Sequence, residues 1–348
     1  MIRPGTTSRT LLSAAMPKQK RQRYIIGIDL GGTNIVVGVL TEDGSSDFAM
    51  RTEPTRADLG ADAVVDRMVR MINTSMKEAK DETGAKTKDF LGIGVGAPGP
   101  LDRANGLVIT TPNLGWTNFP LRDVIAERVG LPATLDNDAN CATLGEWWLG
   151  AAKGGRNVVG MTIGTGIGGG LILDGQLYHG SSDVAGEIGH MTIDVNGRRC
   201  GCGNYGCLEA YASGPSIAER AREQMQGDNE SLMYTLVDGE LERLTAAMVY
   251  DAAKRGDATA LEVVRETSRF LGVGIANLLN VYNPDCVVIA GGVTQAGETL
   301  FEPMRREVRK RAFRPAVDAC RIVPGSLPGT AGVVGAVATF KQQSLGGI

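Results

Sequence analysis

The sequence predicts an α/β protein built as two lobes facing each other across a cleft, and three features predict it. The 348 residues are more than one core comfortably holds and suit two. A strand, a glycine-polar turn and a second strand occur twice, between residues 29 and 39 and again between residues 159 and 173, which reads as duplication of one α/β unit. The 48 glycines gather in short loops instead of spreading as low complexity, and such clusters mark backbone that turns tightly or approaches a ligand.

In chain order, Tyr24 to Leu30 is a short apolar run broken by Gly31-Gly32, and Ile35 to Leu40 is its hairpin partner. Met50 to Glu53 reads as a third strand. Val64, Val65, Met68, Ile72 and Met76 recur at helical spacing, so a helix is expected from about Ala61 to Lys80. Leu91 to Gly96 returns to strand and stops at Pro98-Gly99-Pro100. A short helix (Leu121 to Val129), a short strand (Thr134-Leu135) and a helix from about Ala139 to Ala151 follow. The order then restarts with a strand from Asn157 to Ile163, a turn at Gly164-Thr165-Gly166 and a strand from Gly170 to Leu173. One helical stretch is expected over Thr245 to Val281, a strand over Cys286 to Ala290 ending in Gly291-Gly292, and a last helix over Gly332 to Phe340. The lobes divide as residues 24–138 with 331–348, and residues 139–330.

Residues 1–23 differ from the rest: basic, without acids, and too weakly apolar for a secretory signal. The stretch reads as a disordered basic tail. An organelle transit peptide shares its basic, Ser/Thr-containing character, and Met16 is an alternative start. A net charge of −3 gives no strongly basic face, so nucleic acid is not an expected partner. No apolar stretch approaches the ~18 residues that cross a bilayer. Of the six cysteines, Cys141, Cys286 and Cys320 are scattered among apolar neighbours as free thiols, and no pairing pattern is visible, which fits a reducing compartment and the cytoplasm.

Four motifs carry chemistry. In Asp29-Leu30-Gly31-Gly32-Thr33-Asn34, a carboxylate at a strand end can hold Mg²⁺ through water beside glycines and a hydroxyl that suit phosphate; alone, the motif is equally an ordinary hairpin turn. Gly164, Gly166 and Gly169 match G-x-G-x-x-G, but a dinucleotide fold requires a helix next and this sequence continues as strand, so the loop reads as a second phosphate clamp. In Asp136-Asn137-Asp138-Ala139-Asn140, Asp138 stands at or near a helix start, where it could cap the helix or act as a general base toward a hydroxyl, with Asn137 holding a neighbouring hydroxyl. Finally, His190, Cys200, Cys202 and Cys207 make a closed tetrahedral set for structural Zn²⁺, with Glu187 and Glu209 flanking it. His179 has no partners nearby in sequence and reads as incidental.

Together these motifs resemble the ROK family of repressors, open reading frames and sugar kinases. The resemblance rests on Asp29 to Asn34, Gly96 to Pro100, Asn137 to Asn140, Gly186 to His190 and the three clustered cysteines, and it covers nearly the whole chain from Tyr24. Within the family the pattern is most similar to the bacterial ATP-dependent glucokinases. The resemblance implies a two-lobed actin-like ATPase (ribonuclease H-like) fold, ATP with Mg²⁺, and a homodimer or tetramer. It implies that Asp138 is the base for transfer to the 6-hydroxyl of glucose, and that Asn137, Glu187, His190 and Glu209 bind sugar hydroxyls, His190 serving the metal with its other nitrogen. Asp29, Gly31, Gly32, Thr33, Thr165 and Gly166 match the family's phosphate turns, and Gly291-Gly292 its adenosine turn. Family fructokinases and amino-sugar kinases tend to carry lysine where this chain has Asn113, which favours glucose; a kinase of the same fold for fructose, mannose, allose or N-acetylmannosamine stays open on the sequence alone, as does polyphosphate in place of ATP. A sugar-sensing regulator would be expected to carry a DNA-binding extension or to lack the base and phosphate loops, and neither signature is present.

Overall fold

The structure, a computed structural model, describes residues 21–111, 113–226 and 230–348. Most of the stretch expected as a basic tail lies outside the described residues; Arg21 and Arg23 are ion-paired to Asp89 and Glu42.

Two five-stranded sheets organise the chain. In the first, β1 (Tyr24–Leu30), β2 (Asn34–Thr41) and β3 (Asp47–Pro54) form an antiparallel meander, and β4 (Phe90–Ala97) lies parallel to β1. A side sheet follows, made of β5 (Leu101–Asp102), β6 (Leu107–Thr111) and β7 (Trp116–Phe119). Strand β8 (Ala133–Asn137) then completes the first sheet, parallel to β4, giving the order β3-β2-β1-β4-β8. The second sheet repeats that plan with β9 (Val158–Ile163), β10 (Ile167–Leu173), β11 (Gln176–Leu177), β12 (Cys286–Ala290) and β13 (Arg321–Pro324), in the order β11-β10-β9-β12-β13. Here too a hairpin opens the unit and the remaining strands run parallel to its first strand. The duplication read from the sequence is therefore a duplication of topology.

Helix α1 (Ala61–Thr83) buries Val64, Val65, Met68 and Ile72 against β2 and β3, the stripe that its periodicity predicted. Helix α2 (Leu121–Val129) leads into β8, and α3 (Asp138–Trp148) leaves it. Between β11 and β13 the chain carries α4 (Glu209–Ala212), α5 (Gly214–Gln224), α6 (Leu232–Leu236), α7 (Ala246–Lys254), α8 (Ala258–Tyr282), α9 (Glu298–Arg311) and α10 (Arg314–Ala319). The single helix expected over residues 245–281 is thus two. Gly256 takes φ +88°, and the Asp257 side chain accepts a hydrogen bond from the Ala260 N–H at 2.7 Å, so one helix ends and another is capped within three residues.

Helix α11 (Ala331–Phe340) returns to pack on β1, β4 and α3, and α3 also packs on β9 and β10. Close approach explains the glycines along these elements. A Cβ on Gly168 would meet Ala139, and one on Gly170 would meet Thr143 of α3; the strand itself begins at Ile167, three residues before the expected start at Gly170. Through this packing α3 presents its N-terminus, with Asn137 and Asp138, to the space between the sheets.

Candidate active site

The phosphate side is built from strand ends. Asp29 sits near the end of β1, opposite Val36 of β2 and Gly96 of β4. Its carboxyl is pushed up to about 7, first by burial and then by the nearby charge of Asp138. A Cβ on Gly332 would run into this carboxylate, so glycine lets the first turn of α11 close onto it. In the following turn, the Gly31 N–H donates to the Asn34 carbonyl at 2.9 Å, and Thr55 pins the loop through Gly31 O at 2.7 Å and Thr33 O at 2.8 Å. Facing it, the Gly164–Gly166 turn closes through Gly164 N–H to Gly166 O at 2.9 Å, and the Gly214 N–H at the start of α5 donates to Gly164 O at 2.8 Å. Gly291, at φ +99°, lies where a Cβ would strike the Ile163 carbonyl, so only glycine fits. A cavity of ≈ 560 Å³ between these turns is lined by Asp29, Gly31, Gly32, Thr33, Thr165, Gly291 and Gly292. Concave runs of backbone N–H from turns, beside a carboxylate that can take a cation, suit a polyphosphate.

A second cavity, also ≈ 560 Å³, shares Gly32, Thr33, Gly164, Thr165 and Gly291 with the first, so the two adjoin. Asn113, Asn137, Asp138, Gly166, Glu187, His190 and Glu209 line it. Here the competition between capping and catalysis at Asp138 resolves by one residue. Asn137 is the N-cap of α3: its side-chain oxygen accepts from Ala139 N–H at 2.9 Å and Asn140 N–H at 3.2 Å. Asp138 Oδ1 accepts from Ala139 N–H at 2.8 Å, and its other oxygen has no hydrogen-bond partner among the described residues. Burial raises the Asp138 carboxyl to about 6; the Ala139 N–H opposes that rise and the charge of Glu187 adds to it. A carboxylate so placed can accept a proton near neutral pH.

The metal set converges as the spacing predicted. The ligand atoms of His190, Cys200, Cys202 and Cys207 all lie within 4.8 Å of one another. Cys200 Sγ is 3.8 Å from His190 Nδ1, and Cys202 Sγ is 3.8 Å from Cys207 Sγ. Tetrahedral thiolates about 2.3 Å from a zinc are about 3.8 Å apart, so the donor set fits that ion. With Nδ1 turned to the cysteines, Nε2 is the nitrogen left for the cavity. Glu209 links the module to the phosphate turn, its Oε2 accepting from Ile167 N–H at 2.8 Å and its Oε1 from the Cys200 thiol at 3.8 Å.

Three features escaped the reading of the sequence. One is a third, mainly apolar cavity of ≈ 540 Å³ beside Gly164, Thr165 and Gly292, walled by Pro215, Ile217, Ala218, Leu244, Ala247 and Tyr250, with Arg222 at its edge. The Ser213-Gly214-Pro215 start of α5, a capping serine followed by proline at the first turn, was a legible signal for part of this wall. Another is Glu146 of α3, only 1% exposed, which holds the loop after β13. The last corrects an expectation: His179 is not incidental, because its Nε2 lies 2.9 Å from the buried carboxylate of Asp136.

Two lobes of matching sheet topology, facing glycine turns between them, Asp29 near the end of β1 and Asp138 directly after β8 define an actin-like ATPase fold with a phosphate-handling cleft. Residues 25–343 match the ROK family, and the chain belongs to it. It is 39% identical to a glucokinase of Halalkalibacterium halodurans over 92% of this chain and 96% of that protein. It is 38% identical to a glucokinase of Thermotoga maritima over 94% of this chain and 99% of that protein. Among solved structures, the ROK family glucokinase of Streptomyces griseus in complex with glucose and AMPPNP superposes with a TM-score of 0.77 at 33% identity, covering 90% of this chain and 98% of that one.

Proposed function

We infer that this protein is an ATP-dependent hexose kinase that transfers the γ-phosphate of ATP to the 6-hydroxyl of glucose. One observation carries the chemistry: Asp138, with a raised carboxyl and an unpartnered oxygen, faces a polar cavity that adjoins a glycine-lined phosphate channel. The relatives named glucokinase and the neighbour bound to glucose and AMPPNP support the substrate pair.

In this reading Asn113, Asn137, Glu187, His190 and Glu209 hold the sugar's hydroxyls, and Asp138 takes the proton from the attacking one. A sugar hydroxyl is a weak nucleophile, so a positioned base matters even where the phosphoryl group departs early. The Gly31–Thr33 and Thr165–Gly166 turns cradle the transferring phosphates, while Asp29 would hold Mg²⁺ through water, the ion offsetting phosphate charge. Gly291-Gly292 and the apolar wall receive the nucleoside. Asn113, in place of lysine, is the basis for choosing glucose. His190, Cys200, Cys202 and Cys207 would hold a structural Zn²⁺, which would fix the ring of His190.

The lobes are assigned to residues 24–138 with 331–348, and to residues 139–330, since α11 returns to the first sheet and α3 touches both. A cytoplasmic homodimer or tetramer completes the proposal; light scattering of the purified chain tests the assembly. No helix among the described residues is long and apolar enough to cross a membrane.

The deciding experiment is a panel of hexoses with Mg-ATP, following ADP release. Turnover of glucose above the other sugars is expected. Glucose binding with no ADP above background would favour a sugar sensor, and turnover confined to fructose or an amino sugar would overturn the role given to Asn113.

A further inference from the structure

Behind the polar cavity lies an ion cluster built on Asp136, the one acid of the Asp136–Asn140 motif left without a role by the reading of the sequence. Asp136, one residue before the Asn137-Asp138 pair, is only 1% exposed. A carboxylate so buried requires partners, and it has four. Its Oδ1 accepts from the Asn137 N–H at 2.8 Å and from the Asn140 side chain at 3.2 Å. Its Oδ2 lies 3.1 Å from Arg103 Nε, as an ion pair off the hydrogen-bonding line, and 2.9 Å from His179 Nε2. Arg103 reaches a second acid: its Nη1 is 3.2 Å from Asp183 Oδ1, and its backbone N–H donates to Asp183 Oδ2 at 3.3 Å.

These partners come from three separate segments, and each segment delivers a residue to the cavity. Arg103 follows β5 in the side sheet, whose β6–β7 connection carries Asn113. Asp136 is the penultimate residue of β8, immediately before Asn137 and Asp138. His179 and Asp183 belong to a loop closed by the Ala185 N–H on the His179 carbonyl at 3.1 Å, and this loop runs directly into Glu187. Asp183 takes φ +58°, a left-handed conformation that aspartate adopts more readily than most residues. None of the four residues lines the cavity itself.

We propose that Arg103, Asp136, His179 and Asp183 act as one positioning cluster, which sets the spacing of Asn113, Asn137-Asp138 and Glu187 around the sugar. The inference rests on reading this cavity as the hexose site. Its physical basis is that one shared carboxylate joins three otherwise independent segments at a point directly behind the base. A shift of any segment moves a hydroxyl-binding side chain, and small displacements of such groups have large kinetic consequences. Among the described residues no ion pair joins the cluster to the phosphate turns, so the nucleotide side should respond less to it than the sugar side.

Arg103→Lys and Asp183→Asn test this with modest changes. Lysine keeps the charge but is a point donor that cannot span two carboxylates, and asparagine keeps the shape while removing the second anion. Each variant is expected to raise the KM for the hexose roughly tenfold or more while leaving the KM for ATP within about twofold. The double variant should be little worse than either single one, since both break the same bridge. Unmoved hexose KM in variants that melt like the wild type overturns the proposal. So does a parallel rise of both KM values with a lower Tm, which would mark a merely structural role. A wild-type protein that phosphorylates no hexose overturns the function and this inference together, whereas an active wild type with indifferent variants overturns this inference alone.

Discussion

At the scale of single residues, the environment of Asp138 makes its role and its cost inseparable. Because Asn137 caps α3, Asp138→Asn should leave the cap intact, and only proton acceptance is lost. A fall in kcat of ~10²–10⁴ is expected, with the far-UV circular dichroism unchanged; near-normal turnover would move the base role to another carboxylate. The carboxyl is raised to about 6 from the ordinary 3.8, so the sugar kcat/KM should fall as pH drops through about 6, and the asparagine variant should lack that limb. The sign for stability runs the other way. A raised carboxyl favours the fold below its unfolded value, and that contribution is lost as pH rises through the folded value. Asp138→Asn should therefore raise Tm relative to the wild type more at pH 8 than at pH 4, which paired melts at the two pH values would reveal. Gly332→Ala is the complementary backbone test. Its methyl group would occupy the space of the Asp29 carboxylate, so phosphoryl transfer should collapse while sugar binding by calorimetry persists.

At the scale of elements, α3 reaches both sides of the site. Its N-terminus carries the proposed base, and two residues before its end Glu146 accepts from Ser326 N–H at 3.0 Å, Leu327 N–H at 2.9 Å and Ala151 N–H at 2.9 Å. The loop so held borders the phosphate cavity through Leu327, Pro328 and Gly329. Glu146→Gln would turn an amide NH₂ toward N–H donors, costing roughly 1.5–3 kcal/mol for lost charge-assisted bonds. The expected result is a lower Tm and a raised KM for ATP, with the hexose KM nearly unmoved. The cysteine module is the other element with two duties. Its chain turns through the Cys200 N–H to Asn204 O bond at 2.8 Å and the Gly206 N–H to Arg198 O bond at 2.7 Å. Without a metal, burial pushes the Cys207 thiol to about 12, with the neighbouring thiols adding, so ion binding must displace protons from a compact set. Cys202→Ala, or a strong chelator, should lower Tm and raise the hexose KM together, because His190 belongs to this module and Glu209 follows Cys207 by two residues. Full activity and stability in protein shown by metal analysis to lack zinc would remove the assignment.

At the scale of the whole molecule, two sheets of the same topology carry three adjoining cavities between and beside them. Ligands that bind only the folded state stabilise it, by about 2.7 kcal/mol at a hundred times their Kd. Glucose and a non-hydrolysable ATP analogue should each raise Tm, and a Tm indifferent to saturating glucose would contradict the sugar site. Much of this plan was legible in the chain. The paired hairpins at residues 29–39 and 159–173, the glycine turns, the α1 stripe and the compact His190–Cys207 set are all local. Turn chemistry, side-chain period and ligand spacing are expressed by neighbours in sequence, so the residues themselves declare them. Only the tertiary structure decided that Asn137, not Asp138, caps α3, that His179 meets Asp136 from 43 residues away, and that an apolar wall from α5 and α7 closes the third cavity. It also decided the raised carboxyls of Asp29 and Asp138, since desolvation and the sharing of a charge depend on which distant segments pack together, a quantity that no local pattern contains.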